Sequence, residues 1–336
     1  MSEKKEFLSK RGLMVIGIVS LIILLLGIIL YFSGLNEEFY SESGQTIFKI
    51  ITYLGEPVVF IIITAILFLA YNKVYAKNLG LSLLFSHYMN QLFKSIFKDP
   101  RPIATNVGDK YGFVEPSYGF PSGHAQNAVS FWGYVSYEFK DKYDYKRIQI
   151  VPCILSILIF LIAISRIIIG VHDLQDIIGG LLIGIGILLL FIYLEPALSR
   201  QFNRLNLITK IFVTIVISVG LFLIGTLLFP EAGLGLVDPQ PLYKDNGAFA
   251  VVGGVLLGFG IGYLLEQEYV KYEPSQVSTR NKIINIIIGI VLLLVVFVPF
   301  EYLIEIDSVY FRFFRYALPT FILAYIVPLI CTKINK

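Results

Sequence analysis

The chain is poor in charge: 15% of its 336 residues are Asp, Glu, Lys or Arg, against about 25% in soluble domains. With 56% hydrophobic residues and a mean hydropathy of +0.76, that scarcity excludes an ordinary soluble domain. Two cysteines exclude a disulfide-rich scaffold. Three histidines confine any imidazole chemistry to His87, His124 and His172.

Long apolar runs stand in place of the missing charge. A bilayer takes about 20 residues to cross as a helix, and runs of that order predict spans at Met14 to Phe32, Ile47 to Tyr71, Leu79 to Phe97, Gly123 to Phe139, Ile148 to Ile164, Leu174 to Tyr193, Ile208 to Phe229, Ala248 to Leu265, Ile283 to Pro299 and Phe313 to Cys331. The expected fold class is all-α: a polytopic helical membrane protein. The first run is longer than a secretory signal core and lacks a small-x-small cleavage pattern, so it reads as an uncleaved anchor with no soluble domain before it.

Basic residues set the orientation, because cytoplasmic loops collect Lys and Arg. With the N-terminus inside, they divide about two to one in favour of the cytoplasmic loops, and both termini are expected in the cytoplasm. Cys153 and Cys331 then fall near cytoplasmic helix ends, where a disulfide is not expected. The many Tyr and Phe residues suit aromatic belts at the interfaces. The longest outer connections, Lys98 to Phe120 and Pro230 to Gly247, are placed to cover a site on the outer face.

Three blocks gather what little polar chemistry the chain has: Lys94 with Arg101 and Pro102; Pro121-Ser122-Gly123-His124; and Ser165-Arg166 followed by His172 and Asp176. In the predicted topology all three open on the extracytoplasmic side. Lys94, Arg101 and Arg166 bring three cations together, and the arginine fork suits phosphate oxygens. Ser122 and Gly123 stand where a helix begins, with free N–H groups and a positive dipole end. His172 and Asp176 are spaced i, i+4, so on a helix the carboxylate takes the Nδ1 proton and leaves Nε2 as nucleophile. His124 is then available as general acid. Three cations would repel a divalent ion, so no metal is expected.

The spacing K-x6-R-P, P-S-G-H and S-R-x5-H-x3-D resembles the type 2 phosphatidic acid phosphatase superfamily, which includes lipid phosphate and isoprenyl diphosphate phosphatases, glucose-6-phosphatase and vanadium haloperoxidases. The resemblance implies His172 as nucleophile, Asp176 as its orienter, His124 as general acid, and Lys94, Arg101, Ser122, Gly123 and Arg166 as phosphate binders. It implies no cofactor and a six-helix phosphatase core. Residues 1–197 are expected to hold that core, and residues 198–336 about four extra C-terminal transmembrane helices without a catalytic block.

The resulting expectation is a membrane phosphatase acting on a lipid phosphate or diphosphate through a phosphohistidine. A headgroup phosphotransferase would use the same residues, and ten helices also permit a transporter. Membrane lipids are the expected surroundings, with no nucleic-acid partner, and the Ile- and Lys-rich composition points to a prokaryotic cell membrane. Outside the blocks, His87 reads as an interhelical packing residue, Asp173 as a capping or solvent residue, and Lys98 and Lys110 as snorkelling cations. Glu56 before Pro57 admits two readings, a kink facing the bundle interior or an intramembrane functional carboxylate.

Overall fold

A computed structural model describes residues 10–34, 45–102, 117–140, 144–145, 148–229, 247–302 and 308–335. Lys110, most of the Lys98 to Phe120 connection and most of Pro230 to Gly247 lie outside the described residues. The chain forms α1 (Lys10–Ile29), α2 (Gln45–Tyr53), α3 (Pro57–Ala70), α4 (Lys73–Phe97), α5 (Gly123–Phe139), α6 (Ile150–Ile168), α7 (Leu174–Asn203), α8 (Leu207–Leu228), α9 (Ala248–Leu265), α10 (Thr279–Tyr302), α11 (Val309–Phe321) and α12 (Val327–Ile334). Among the described residues the all-α expectation holds apart from one antiparallel ladder of two rungs, Asp144 opposite Gln149 and Tyr145 opposite Ile148.

Side-chain caps decide where several helices begin. Asn72 Oδ1 accepts from the N–H groups of Val74 and Tyr75 and starts α4, six residues before hydropathy rises enough to show it. Asn206 does the same for α8 through Thr209 N. The span expected over Ile47 to Tyr71 is broken instead. Pro57 has no N–H and pushes the residue before it out of the helical region, so Glu56 is extended (φ −80°, ψ 144°). The two pieces are bent by 45°.

Among the described residues six helices are long and apolar enough to cross a membrane, or up to seven if the bent pair counts as one span. Three helices expected as spans fall outside that set: α1, which counts only as a shorter apolar helix over Ile18–Phe32, and the pair α4 and α5. Polar residues dilute both, and these are buried against one another: Asn90 Nδ2 donates to Gln126 Oε1 at 2.9 Å, Gln126 Nε2 to Ser86 O at 2.7 Å, and Ser86 Oγ to Asn127 Oδ1 at 3.0 Å. His87 joins the same seam through Asn127 at 3.4 Å, the packing role expected of it.

Glycines on α7 let two helices come close. A Cβ at Gly180 would stand 2.7 Å from the Ser122 carbonyl, and one at Gly184 2.8 Å from the Gln126 carbonyl, both on α5 or its cap. On another face a Cβ at Gly186 would meet the Leu24 backbone of α1 at 2.9 Å. Small residues at such crossings are how membrane helices gain packing contact. The crossing with α5 brings the start of α7 against the start of α5, and the three blocks meet there.

The C-terminal helices pack among themselves and dock on α3 and α4. Tyr88 OH on α4 donates to Leu221 O on α8, and Tyr272 OH donates to Leu69 O on α3. Lys73 at the head of α4 pairs with Glu266, just past α9, at 2.9 Å.

Candidate active site

Ser122 caps α5, its hydroxyl accepting from Ala125 N, and its own N–H donates to the Asp176 carbonyl at 3.0 Å. His124 therefore stands in the first turn of α5. The expected i, i+4 pairing of His172 and Asp176 is present, but not along a helix. Asp173 caps α7 by accepting from Asp176 N at 2.9 Å and is buried, the capping rather than the solvent role of the two open for it, so His172 lies in the turn before the helix. The pair is formed across the helix start, with His172 Nδ1 and Asp176 Oδ2 2.7 Å apart.

The same imidazole meets Arg101 on its other side, Nη1 to Nε2 at 2.8 Å. A guanidinium only donates, so Nε2 carries a lone pair and the ring proton sits on Nδ1, donated to Asp176. Both neighbours fix one tautomer. Burial first, and then the charges of Arg101, Lys94, Arg166 and His124, hold the His172 pKa well below the usual 6.5.

The three cations are buried around this ring: Lys94 is 3% exposed, Arg101 4% and Arg166 0%. Lys94 Nζ donates to the carbonyls of Tyr118 and Gly119. Arg101 donates to Ser117 O at 2.7 Å and Val171 O at 2.8 Å. Arg166 Nη1 donates to Thr52 Oγ1 at 2.9 Å. Three buried cations in one place favour an anion beside them, and the positive end of α5 points to the same place. Lys98, by contrast, is exposed.

Three residues here were not assigned to the site from sequence. Thr52 and Glu56 arrive from the α2–α3 bend, where Glu56 Oε1 lies 3.1 Å from His124 Nε2. Of the two readings open for Glu56, the carboxylate therefore meets a candidate site residue as well as marking the kink. Asp99 lies beside Asp176, and burial raises its pKa. Its signal in the sequence was position alone, two residues before Arg101.

Two family models match the chain. The model of the PAP2 superfamily covers residues 75–200, and that of the "PAP2 superfamily phosphatase, transmembrane extension" covers residues 250–336. The chain belongs to the PAP2 superfamily. All three blocks of this PAP2 protein lie inside the first match, whereas Thr52 and Glu56 lie before it.

Among curated proteins, lipid phosphate phosphatase delta of Arabidopsis thaliana is 27% identical over 208 residues, 59% of this chain and 46% of that protein. Phosphatidylglycerophosphatase B of Bacillus subtilis is 30% identical over 92 residues, 27% of this chain and 43% of that protein. Human sphingosine-1-phosphate phosphatase 2 is 27% identical over 185 residues, 53% and 42% respectively. The PAP2 chain thus spans less than half the length of each of these relatives. The crystal structure of a transmembrane PAP2 type phosphatidylglycerolphosphate phosphatase from Bacillus subtilis aligns over 56% of this chain and 96% of its own, with 21% identity and a TM-score of 0.41.

Proposed function

We propose that this PAP2 protein is a membrane-embedded phosphatase that hydrolyses a lipid phosphate or lipid diphosphate through a phosphohistidine at His172. The observation that carries the reading is the His172 ring held between Asp176 and Arg101, with its unprotonated nitrogen facing the buried cations. The relatives are named as lipid phosphate, phosphatidylglycerophosphate and sphingosine-1-phosphate phosphatases, which supports the substrate class.

In the first step the Nε2 lone pair forms a bond to phosphorus while the P–O bond to the lipid breaks. The leaving oxygen takes that electron pair and a proton from His124. Lys94, Arg101, Arg166, the Ser122 hydroxyl and the Gly123 N–H hold the non-bridging oxygens, whose charge they match better as the transition state spreads it. In the second step a water gives its proton to His124 and its oxygen to phosphorus, and the N–P electron pair returns to Nε2. Inorganic phosphate leaves.

The three cations take the charge-neutralising part that a divalent ion plays elsewhere, so the reaction runs without a metal. The distribution of Lys and Arg supports an extracytoplasmic site with both termini in the cytoplasm of a prokaryotic cell. Residues 1–197 form the phosphatase core and residues 198–336 an extension docked on it.

The test is phosphate release by the purified full chain from a panel of lipid phosphates and diphosphates. Turnover is expected in the presence of chelator, inhibited by vanadate, and lost in His172→Ala. Activity that chelator abolishes and magnesium restores, or that survives His172→Ala, overturns the mechanism. Transfer of phosphate to an added alcohol instead of water would make it a phosphotransferase.

A further inference from the structure

Glu56 reaches the site from a segment outside both family matches, and several contacts hold it there. Trp132 Nε1 on α5 donates to Leu54 O at 3.2 Å, pinning the α2–α3 bend against α5. Gly55 has no room for a side chain, since a Cβ would stand 2.7 Å from Ile162 Cγ2 and 3.1 Å from His124 Cδ2. Thr52, one turn earlier, binds Arg166. The bend thus touches both a proposed phosphate binder and the proposed acid.

The Glu56 carboxylate accepts, so the His124 nitrogen it meets, Nε2, donates. His124 is then handled in the opposite sense to His172. Asp176 takes the Nδ1 proton of His172 and leaves Nε2 unprotonated, whereas Glu56 takes the Nε2 proton of His124.

Building on the phosphatase reading, we propose that Glu56 is the positioning residue of the general acid. It holds His124 Nε2–H throughout, so that Nδ1 alone gives its proton to the leaving oxygen and accepts one from the attacking water. It also offsets the surrounding positive charge. The charged and titratable groups round the pair include Lys49 and the exposed Tyr53 on α2, His87 and Lys94 on α4, Asp99 and Arg101 after it, Arg166 on α6, and His172, Asp173 and Asp176 at the head of α7. The cations among them oppose a second positive charge on His124, and a carboxylate at 3.1 Å favours it. His124 can then be protonated while His172 is neutral, which the two-step reaction requires.

Kinetics of the full chain with two classes of substrate test the assignment. A lipid phosphate has a poor alcohol leaving group that needs a proton, whereas p-nitrophenyl phosphate has a good one that does not. Glu56→Gln is expected to lower kcat on the lipid phosphate by at least about tenfold, a part of the roughly 10²–10⁴-fold that a positioned acid supplies. It should leave the rate of phosphoenzyme formation from p-nitrophenyl phosphate, the step that needs no acid, within a few fold and move the alkaline limb of kcat on the lipid phosphate to lower pH, and Glu56→Asp should recover part of the loss. Equal losses in phosphoenzyme formation from both substrates, or an unshifted alkaline limb, overturn the role assigned to Glu56. If His124→Ala leaves lipid phosphate turnover intact, it is the phosphatase mechanism itself that fails.

Discussion

Arg101 Nη1 lies 2.8 Å from His172 Nε2, in the place where a phosphorus atom must come for that nitrogen to attack. The guanidinium has to give up this bond as substrate enters, and phosphate oxygens offer it stronger charge-assisted partners. Lysine keeps the charge but not the planar fork. Arg101→Lys is therefore expected to lower kcat/KM roughly 10- to 150-fold, the equivalent of one charged hydrogen bond of about 1.5–3 kcal/mol. Steady-state kinetics on a lipid phosphate check it, and an unchanged kcat/KM would remove Arg101 from the phosphate site.

Asp176 sets the tautomer of His172 from the other side of the ring, at 2.7 Å. Asparagine fills the same space but presents an amide that can donate, which would place the ring proton on Nε2 and block attack. Loss of an orienting carboxylate of this kind costs on the order of 10⁴ in kcat. Asp176→Asn should therefore abolish formation of a labelled phosphoenzyme from labelled substrate, with the fold intact by circular dichroism. Retained labelling would show that Arg101 suffices to fix the tautomer.

The depressed His172 pKa fixes the acid side of the pH profile. Burial and the neighbouring cations keep the imidazole neutral below its usual range, so the proposed nucleophile is lost only as pH falls through that lowered value. The acid limb of kcat/KM, which reports the free enzyme, is expected well below pH ~6.5, the ordinary histidine value. Replacing Arg166 with Gln removes one of the charges that depress it and should move the limb upward. An acid limb near 6.5 in the unaltered protein would sink this account of His172.

The blocks were legible in the sequence because their chemistry is local: fixed spacing carries Ser122 to a helix cap and Asp176 to within reach of His172. Helix ends were legible where hydropathy and geometry agree, as in α5 over Gly123–Phe139 and α9 over Ala248–Leu265. They failed where polar residues begin a helix, as at Lys73 behind the Asn72 cap, and where Pro57 breaks an apolar run that hydropathy reads as continuous. Thr52, Glu56 and Asp99 were not legible as partners. Each meets its counterpart only after α2, α5, α6 and α7 have packed, and no spacing rule spans that separation.

Close packing of α5 on α7 predicts a pair of opposite outcomes for one kind of substitution. At Gly184 a methyl group would meet the Gln126 carbonyl at 2.8 Å and Val129 Cβ at 2.9 Å, so one helix must shift, at a cost of about 1–3 kcal/mol. At Gly220 on α8 there is nothing within 4 Å of the new methyl, and alanine is the better helix former by about 1 kcal/mol. Gly184→Ala should lower the unfolding temperature in detergent and reduce phosphate release, while Gly220→Ala should leave both unchanged or raise the first. Equal effects at the two positions would mean that α5 and α7 do not cross as closely as these distances require.

The joint between α4 and the C-terminal helices rests on a buried ion pair. Lys73 and Glu266 have side chains 6% and 0% exposed, and Glu266 also accepts from Tyr272 N at 2.7 Å and Gln267 Nε2 at 3.0 Å. Removing one partner strands the other, typically at a cost of about 3–5 kcal/mol, whereas replacing both by neutral groups costs far less. Lys73→Met is therefore expected to destabilise the protein strongly. Adding Glu266→Gln, which keeps an oxygen for Tyr272 N, should recover most of the loss. The two single variants and the double variant form a cycle whose coupling is read from unfolding midpoints. Additive effects would show that the pair does not tie the extension to the core, and that the apolar contacts of α3 and α4 hold it instead.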